Sequence, residues 1–203
     1  PDVVVCLDTV SSLGGSKIEV DALGVDICIA STQKALGLPP GLSLCSFSQK
    51  AVDRAKKVAH RGYYLDLLAL YEYLKDKDYQ YPSTPSLSHM FALDYQLDCI
   101  MEEGLEQRFS RHLRMAELVR EWAKQHFALF ANPNYLSNTL TTIRNTRGID
   151  IAELNRELGK RGYQISNGYG KAKDITFRIA HMGDLTYEDV AQLLGEINDI
   201  LGL

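Results

Sequence analysis

No apolar run in this 203-residue chain approaches the ~20 residues that a helix needs to cross a bilayer. Basic residues number 22 against 26 acidic ones, for a net charge of −4. The chain therefore lacks the clustered positive face that nucleic-acid phosphates demand, and no nucleic-acid partner is expected. The cysteines, Cys6, Cys28, Cys45 and Cys99, contain no C-x-x-C pair. The histidines, His60, His89, His112, His126 and His181, fall without ligand spacing, so no metal site is expected. Three of the cysteines sit in apolar runs and are expected to be buried free thiols in a reducing cytoplasm. The chain opens on Pro1-Asp2 and enters an apolar run at once, without the basic-then-apolar pattern of a secretory signal. There is no internal repeat and no low-complexity stretch.

What is present is an ordinary globular composition, 45% hydrophobic and 24% charged. Val3-Val4-Val5-Cys6-Leu7 is a continuous apolar run that stops at Asp8, as expected of a strand covered on both faces in a parallel sheet. Val25 to Ala30 predicts a second buried strand and Leu42 to Phe47 a third, paired antiparallel because the connection is so short. The period then becomes helical. Leu65, Leu68 and Tyr71 share one face, and Leu87, Met90, Phe91, Leu97, Ile100 and Met101 line another helix ending near Gly104. In the following helix Leu105, Phe109, Leu113, Ala116 and Ala123 are expected inward, with Arg108, Arg111, Arg114 and Arg120 on a solvated face. Leu140 to Ile143 and Ile175 to Ala180 predict strands, Ile151, Leu154 and Leu158 a helix, and Val190 to Leu201 a closing helix capped by Thr186. The division falls near Gly104, giving a sheet-rich part over 1–103 and a small α/β part over 104–203.

Asp8 and Lys34 each follow the end of an apolar strand, the edge of an α/β sheet where ligands bind. Lys34 lies in Ser31-Thr32-Gln33-Lys34-Ala35-Leu36-Gly37, ahead of the rigid turn Pro39-Pro40-Gly41. A lysine that attacks an aldehyde needs a partly desolvated place that favours its neutral amine. Small neighbours and a stiff turn suit a backbone that approaches a planar cofactor closely.

Asp8 to Gly15, Ser31 to Leu36 and Pro39 to Gly41 occur in an order that resembles the class V aminotransferases, above all the alanine–glyoxylate and serine–pyruvate type. Tyr64-Leu65-Asp66, Tyr81-Pro82-Ser83-Thr84-Pro85 and Phe177-Arg178-Ile179-Ala180-His181-Met182-Gly183 continue the likeness over essentially the whole chain. The resemblance implies the C-terminal part of a fold-type I α/β enzyme dependent on pyridoxal 5'-phosphate. Residues 1–103 would be part of the large cofactor-binding domain, with a mostly parallel sheet, and 104–203 the small domain. It further implies a homodimer that moves an amino group from a small amino acid, alanine or serine, to a 2-oxo acid such as glyoxylate or pyruvate.

Carried over, the resemblance makes Lys34 the Schiff-base lysine and proton shuttle, Asp8 the partner of the pyridinium nitrogen, and Val10 a packing residue on one ring face. It gives Gln33 to the cofactor phosphate, Tyr81 and Thr84 to the phosphate of the neighbouring subunit, and Arg178 to the substrate α-carboxylate. Tyr169, in Ser166-Asn167-Gly168-Tyr169-Gly170, reads as a turn residue near the substrate side. Such enzymes place a glycine-rich phosphate loop and a second ring-stacking residue ahead of the matched region, so the sequence is expected to be a fragment. Two alternatives stand beside transamination. One is cysteine desulfurase or lyase chemistry, whose lysine usually follows a histidine where Gln33 stands here. The other is a non-catalytic piece, inactive without its N-terminal part.

Overall fold

The computed structural model describes residues 3–203. Strands β1 (Cys6–Asp8), β2 (Ile27–Ser31) and β3 (Ser43–Phe47) form a three-stranded sheet in the order β1-β2-β3. The β1–β2 pair is parallel, with Asp8 opposite Ile29, while β3 returns antiparallel to β2 with Ser43 opposite Ser31. The tight Pro39-Pro40-Gly41 connection leaves no room for a crossover, which forces the antiparallel return.

Only the last part of the Val3–Leu7 run is strand, and Val3, Val5 and Cys6 are exposed. The expectation of a strand covered on both faces fails because Val5 and Cys6, which point to opposite faces, are both exposed among the described residues. Ile29 in β2 is exposed on the same face as Asp8. Of the strand thiols only Cys28 is buried; Cys6 is exposed and Cys45 half-buried.

Four helices follow: α1 (Gln49–Ala55), α2 (Leu67–Asp76), α3 (Leu87–Glu103) and α4 (Leu105–His126). Leu65 lies outside α2 and is exposed, so it does not share the Leu68 face. On α3 the buried positions are Gln96 and Ile100, while Phe91, Leu97 and Met101 face outward. On α4 the inward stripe is Arg108, His112, Met115, Ala116, Val119, Trp122 and Ala123. Leu105 and Leu113, expected inside, are exposed, and Arg108, expected in solvent, is 2% exposed. The helix turns this way because Arg108 finds hydrogen-bond partners inside, while His112 pairs through Nδ1 with the Arg108 carbonyl of its own helix and leaves Nε2 without a partner among the described residues.

Beyond α4 come β4 (Ala128–Leu129), β5 (Leu140–Arg144), α5 (Ile151–Lys160), β6 (Ser166–Asn167), β7 (Thr176–Ala180) and α6 (Tyr187–Leu201). Their strands form an antiparallel sheet in the order β4-β5-β7-β6. One sheet face and three helices enclose a core that includes Met115, Val119 and Trp122 from α4, Leu154 and Leu158 from α5, and Val190, Leu194 and Ile197 from α6. Full burial of such side chains stabilises by about 1.5–3 kcal/mol each. The period of two on β7 sends Phe177 and Ile179 into this core and turns Arg178 to the other face. Thr186 caps α6 in a reciprocal capping box with Asp189. No helix among the described residues is long and apolar enough to cross a membrane.

His181, just past β7, is fully enclosed, its Nε2 2.8 Å from Thr141 Oγ1 and its Nδ1 3.1 Å from the Asn138 carbonyl. Burial pushes the imidazole down from 6.5 to about 4, and burial moves His112 in the same direction. Between those values the unfolded chain binds a proton that the folded chain refuses. Stability is therefore full above the ordinary histidine value and falls as the pH drops toward 4, by roughly 3 kcal/mol for His181. Urea unfolding at about pH 7 and about pH 4.5 should show this loss, and a His181→Gln variant should lose much less. An unchanged pH dependence in the variant would remove His181 as its source.

Candidate active site

The site grows from the exits of β1 and β2. Thr9, buried just after β1, donates from both its amide and its hydroxyl to the Ile29 carbonyl, at 2.9 and 2.8 Å. That pins the end of β1 to β2 and fixes where Asp8 points. The Asp8 Oδ1 accepts the Val10 amide at 2.9 Å, an Asx turn that orients the carboxylate and leaves Oδ2 for another donor. Asp8 and Val10 line a cleft of about 560 Å³ together with Ser11, Ser12, Tyr135 and Asn138.

Lys34 sits on the crest of a closed loop. Thr32 is fully buried, and its hydroxyl donates to the Pro39 carbonyl at 2.9 Å while its own carbonyl accepts the Leu38 amide at 2.9 Å. Ala35 and Leu36 root the crest in the interior at 0% and 4% exposure. Lys34 itself is half-buried and Gln33 exposed. The backbone is fixed and the amine is reachable.

One residue holds both loops. Arg108 donates from Nε to the Gly14 carbonyl at 2.9 Å and from Nη2 to the Ala35 carbonyl at 2.8 Å. Its Nη1 meets Glu103 at 2.8 Å and Asp184 at 3.3 Å. Asp184 in turn accepts Gln96 Nε2 at 3.0 and 2.9 Å, while Arg111 donates to Glu103. The Asp8 loop approaches α4 so closely that a Cβ on Gly15 would lie 2.5 Å from Thr139 Cγ2 and 2.9 Å from His112 Cδ2. Only glycine fits there.

The segment after β7 completes the arrangement, with Gly183 packed on the Lys34 loop. Arg178 is half-buried and donates from Nε to the Asn167 carbonyl at 2.9 Å. Its guanidinium lies 3.9 Å from the centroid of the Tyr169 ring. The Tyr169 phenol is held below its usual range by Arg178, with a further contribution from the Lys34 charge. Thus Tyr169 lies against Arg178 and within electrostatic reach of Lys34, whose loop leaves the sheet edge that also carries Asp8. Tyr81 does not join them. It lines a separate cleft between β3 and α3, with Leu44 and Leu97, and Thr84 is exposed near it in sequence.

Tyr169, expected as a turn residue, lies against Arg178, and Arg108, expected on a solvated face, is buried. Glycines around Tyr169 were a signal of a constrained loop. For Arg108 a signal was its spacing to His112, Met115 and Val119, which continues the buried stripe.

A family model described as aminotransferase class-V matches residues 1–192. An uncharacterized aminotransferase of Methanocaldococcus jannaschii is 38% identical over 90% of this chain and 48% of its own length. The alanine–glyoxylate aminotransferase of Oryctolagus cuniculus is 34% identical over 96% of this chain and 52% of its own length. The crystal structure of alanine–glyoxylate aminotransferase from Nostoc sp. superposes with a TM-score of 0.90 at 29% identity, covering 98% of this chain and 54% of that one. The chain thus spans about half the length of the curated relatives it matches.

Proposed function

The chain belongs to the class-V aminotransferases, and on that premise we propose that it carries the lysine-bearing part of a transaminase site. The reaction moves an amino group from a small amino acid, alanine or serine, to a 2-oxo acid, glyoxylate or pyruvate. The observation that carries this reading is the packing of Gly183, five positions past Arg178, on the Lys34 loop, which leaves the same sheet edge as Asp8.

Pyridoxal phosphate is the cofactor of this family, and the residues present fit it. An amine on a rooted loop, a carboxylate with one oxygen left over and an apolar valine beside it suit an aldehyde, a ring nitrogen and a ring face. When bound, the cofactor supplies an aldehyde that condenses with amines and a cationic ring that takes up the electrons of a broken Cα–H bond. Asp8 would accept the ring N–H through the oxygen that the Val10 amide leaves free and keep that nitrogen protonated. Val10 would pack beside the ring and exclude water. Gln33 would donate to the phosphate. Lys34 would hold the aldehyde through its amine and would take and return the proton of the substrate Cα. Arg178 grips the α-carboxylate through its terminal nitrogens and so orients the Cα–H bond toward Lys34.

We place the boundary between the larger and smaller parts at Gly104, and Tyr81 and Thr84 at the phosphate of a second subunit in a homodimer. Tyr81 lines a cleft that includes neither Asp8 nor Lys34, which supports that placement. The test is a panel of amino donors assayed with glyoxylate and pyruvate, using the intact protein loaded with pyridoxal phosphate. Turnover with alanine or serine is expected. Release of sulfide or alanine from cysteine, with no transfer to either 2-oxo acid, would replace transamination by desulfurase chemistry. No turnover of any donor would mark the chain as non-catalytic.

A further inference from the structure

Arg178 leaves β7 on the face opposite Phe177 and Ile179 and has no core to hold it in place. Two contacts do so instead. Its Nε donates to the Asn167 carbonyl at 2.9 Å, and the Tyr169 ring covers one face of the guanidinium at 3.9 Å. A guanidinium carries five in-plane donors. With Nε occupied and one face covered, the terminal N–H groups remain, in the plane and spacing that match a carboxylate.

We propose that Tyr169 is a positioning residue for Arg178, which it stacks upon and holds in the plane that receives the substrate α-carboxylate. Tyr169 thereby favours α-carboxylate substrates over amines that lack one. The inference rests on the reading of Arg178 as the carboxylate grip.

The loop that delivers the ring is itself built for a fixed geometry. Asn167 Oδ1 accepts the Gly168 amide at 2.7 Å and the Asp174 amide at 2.9 Å, and Asn167 Nδ2 donates to Asp174 Oδ1 at 2.7 Å. The Ala172 amide donates to the Tyr169 carbonyl at 2.9 Å, and Thr176 Oγ1 donates to the Ala172 carbonyl at the same distance. A Cβ at Gly168 would fall 2.0 Å from that Ala172 oxygen, so the loop closes only around glycine. Tyr169 is 77% exposed, so the loop's hydrogen bonds and the arginine fix the ring, and burial does not. The phenol is held below its usual range first by Arg178, which agrees with a ring that lies against that guanidinium. Orienting a long arginine before the substrate arrives removes rotamer entropy from the cost of binding.

The experiment uses the intact protein with pyridoxal phosphate and three variants, Tyr169→Leu, Tyr169→Phe and Arg178→Gln. Two quantities are read: KM and kcat for alanine with glyoxylate, and the Kd of propionate, a carboxylate that cannot react, by calorimetry. Tyr169→Leu should raise KM for alanine and the propionate Kd by about three- to tenfold, the range of a cation–π contact, with kcat within about twofold. Tyr169→Phe keeps the stack and should match the parent within about twofold on both. Arg178→Gln should raise both quantities further than Tyr169→Leu does. If Arg178→Gln raises them and Tyr169→Leu leaves them unchanged, Tyr169 has no positioning role. If Tyr169→Phe falls as far as Tyr169→Leu, the hydroxyl acts and the stacking proposal fails. If Arg178→Gln changes neither, the carboxylate reading of Arg178 itself is wrong, a result separate from the other two.

Discussion

Replacing Lys34 by alanine in the intact protein is expected to cut transamination by at least about 10⁴-fold, because the proposed role gives cofactor attachment and proton transfer to one side chain. The structure makes this a clean test. The backbone of the loop is anchored by Thr32, Ala35 and Leu36, none of which needs the lysine side chain. The half-buried amine contributes little to the core, so the thermal midpoint should move by no more than a few degrees. A second readout removes any ambiguity of rate. Borohydride reduction of the loaded parent should leave the cofactor attached to the peptide containing Lys34, and the variant should carry none. Turnover that survives the substitution, or label found on another lysine, would overturn the assignment.

Arg108→Ala should produce the largest stability loss of any single change near the site, about 3–5 kcal/mol. The substitution strands the Gly14 and Ala35 carbonyls at once and empties the volume of a long side chain that is 2% exposed. Its acidic partners suffer less. Asp184 is 59% exposed at the side chain and keeps water as an alternative, so Asp184→Asn should cost only about 1 kcal/mol. Urea unfolding of both variants checks the contrast. Equal losses would mean that the ion pair, and not the two carbonyls, carries the stability. A loss below about 1 kcal/mol for Arg108→Ala would show that the loops hold without it.

Much of the fold could be read from residue patterns. Ile151, Leu154 and Leu158 predicted α5, and all three are buried. Thr186 predicted the cap of α6, and the short proline turn predicted the antiparallel return of β3. The failures have a common physical origin. Hydrophobic periodicity assumes that apolar groups go inward, and on α4 a hydrogen-bonded arginine and a buried histidine occupy the inward stripe in place of Leu105 and Leu113. On α3 and β1 the apolar residues were correctly seen, but Phe91, Met101 and Cys6 are exposed in the described structure. Strands β4 and β6, of two residues each, are too short to show any period.

At the site, Asp8 and Lys34 were legible because strand ends are legible. Their chemical roles came from family resemblance and not from spacing. Tyr169 was not legible, because its partner Arg178 lies nine positions on and only the folded hairpin loop brings the two together.

Arg108 also sets an order of events for the chain. Its bonds to Gly14, Ala35 and Asp184 span 94, 73 and 76 positions. Closing loops of that length is entropically costly, so contacts between distant segments form after the local helices and hairpins are in place. The β1–β2 pairing already sets Asp8 beside the strand that leads to Lys34, and the docking of α4 adds the Arg108 tie between their two loops. A partly unfolded chain that loses the docking of α4 therefore loses the Arg108 tie between the two loops while it can keep its strand pairing.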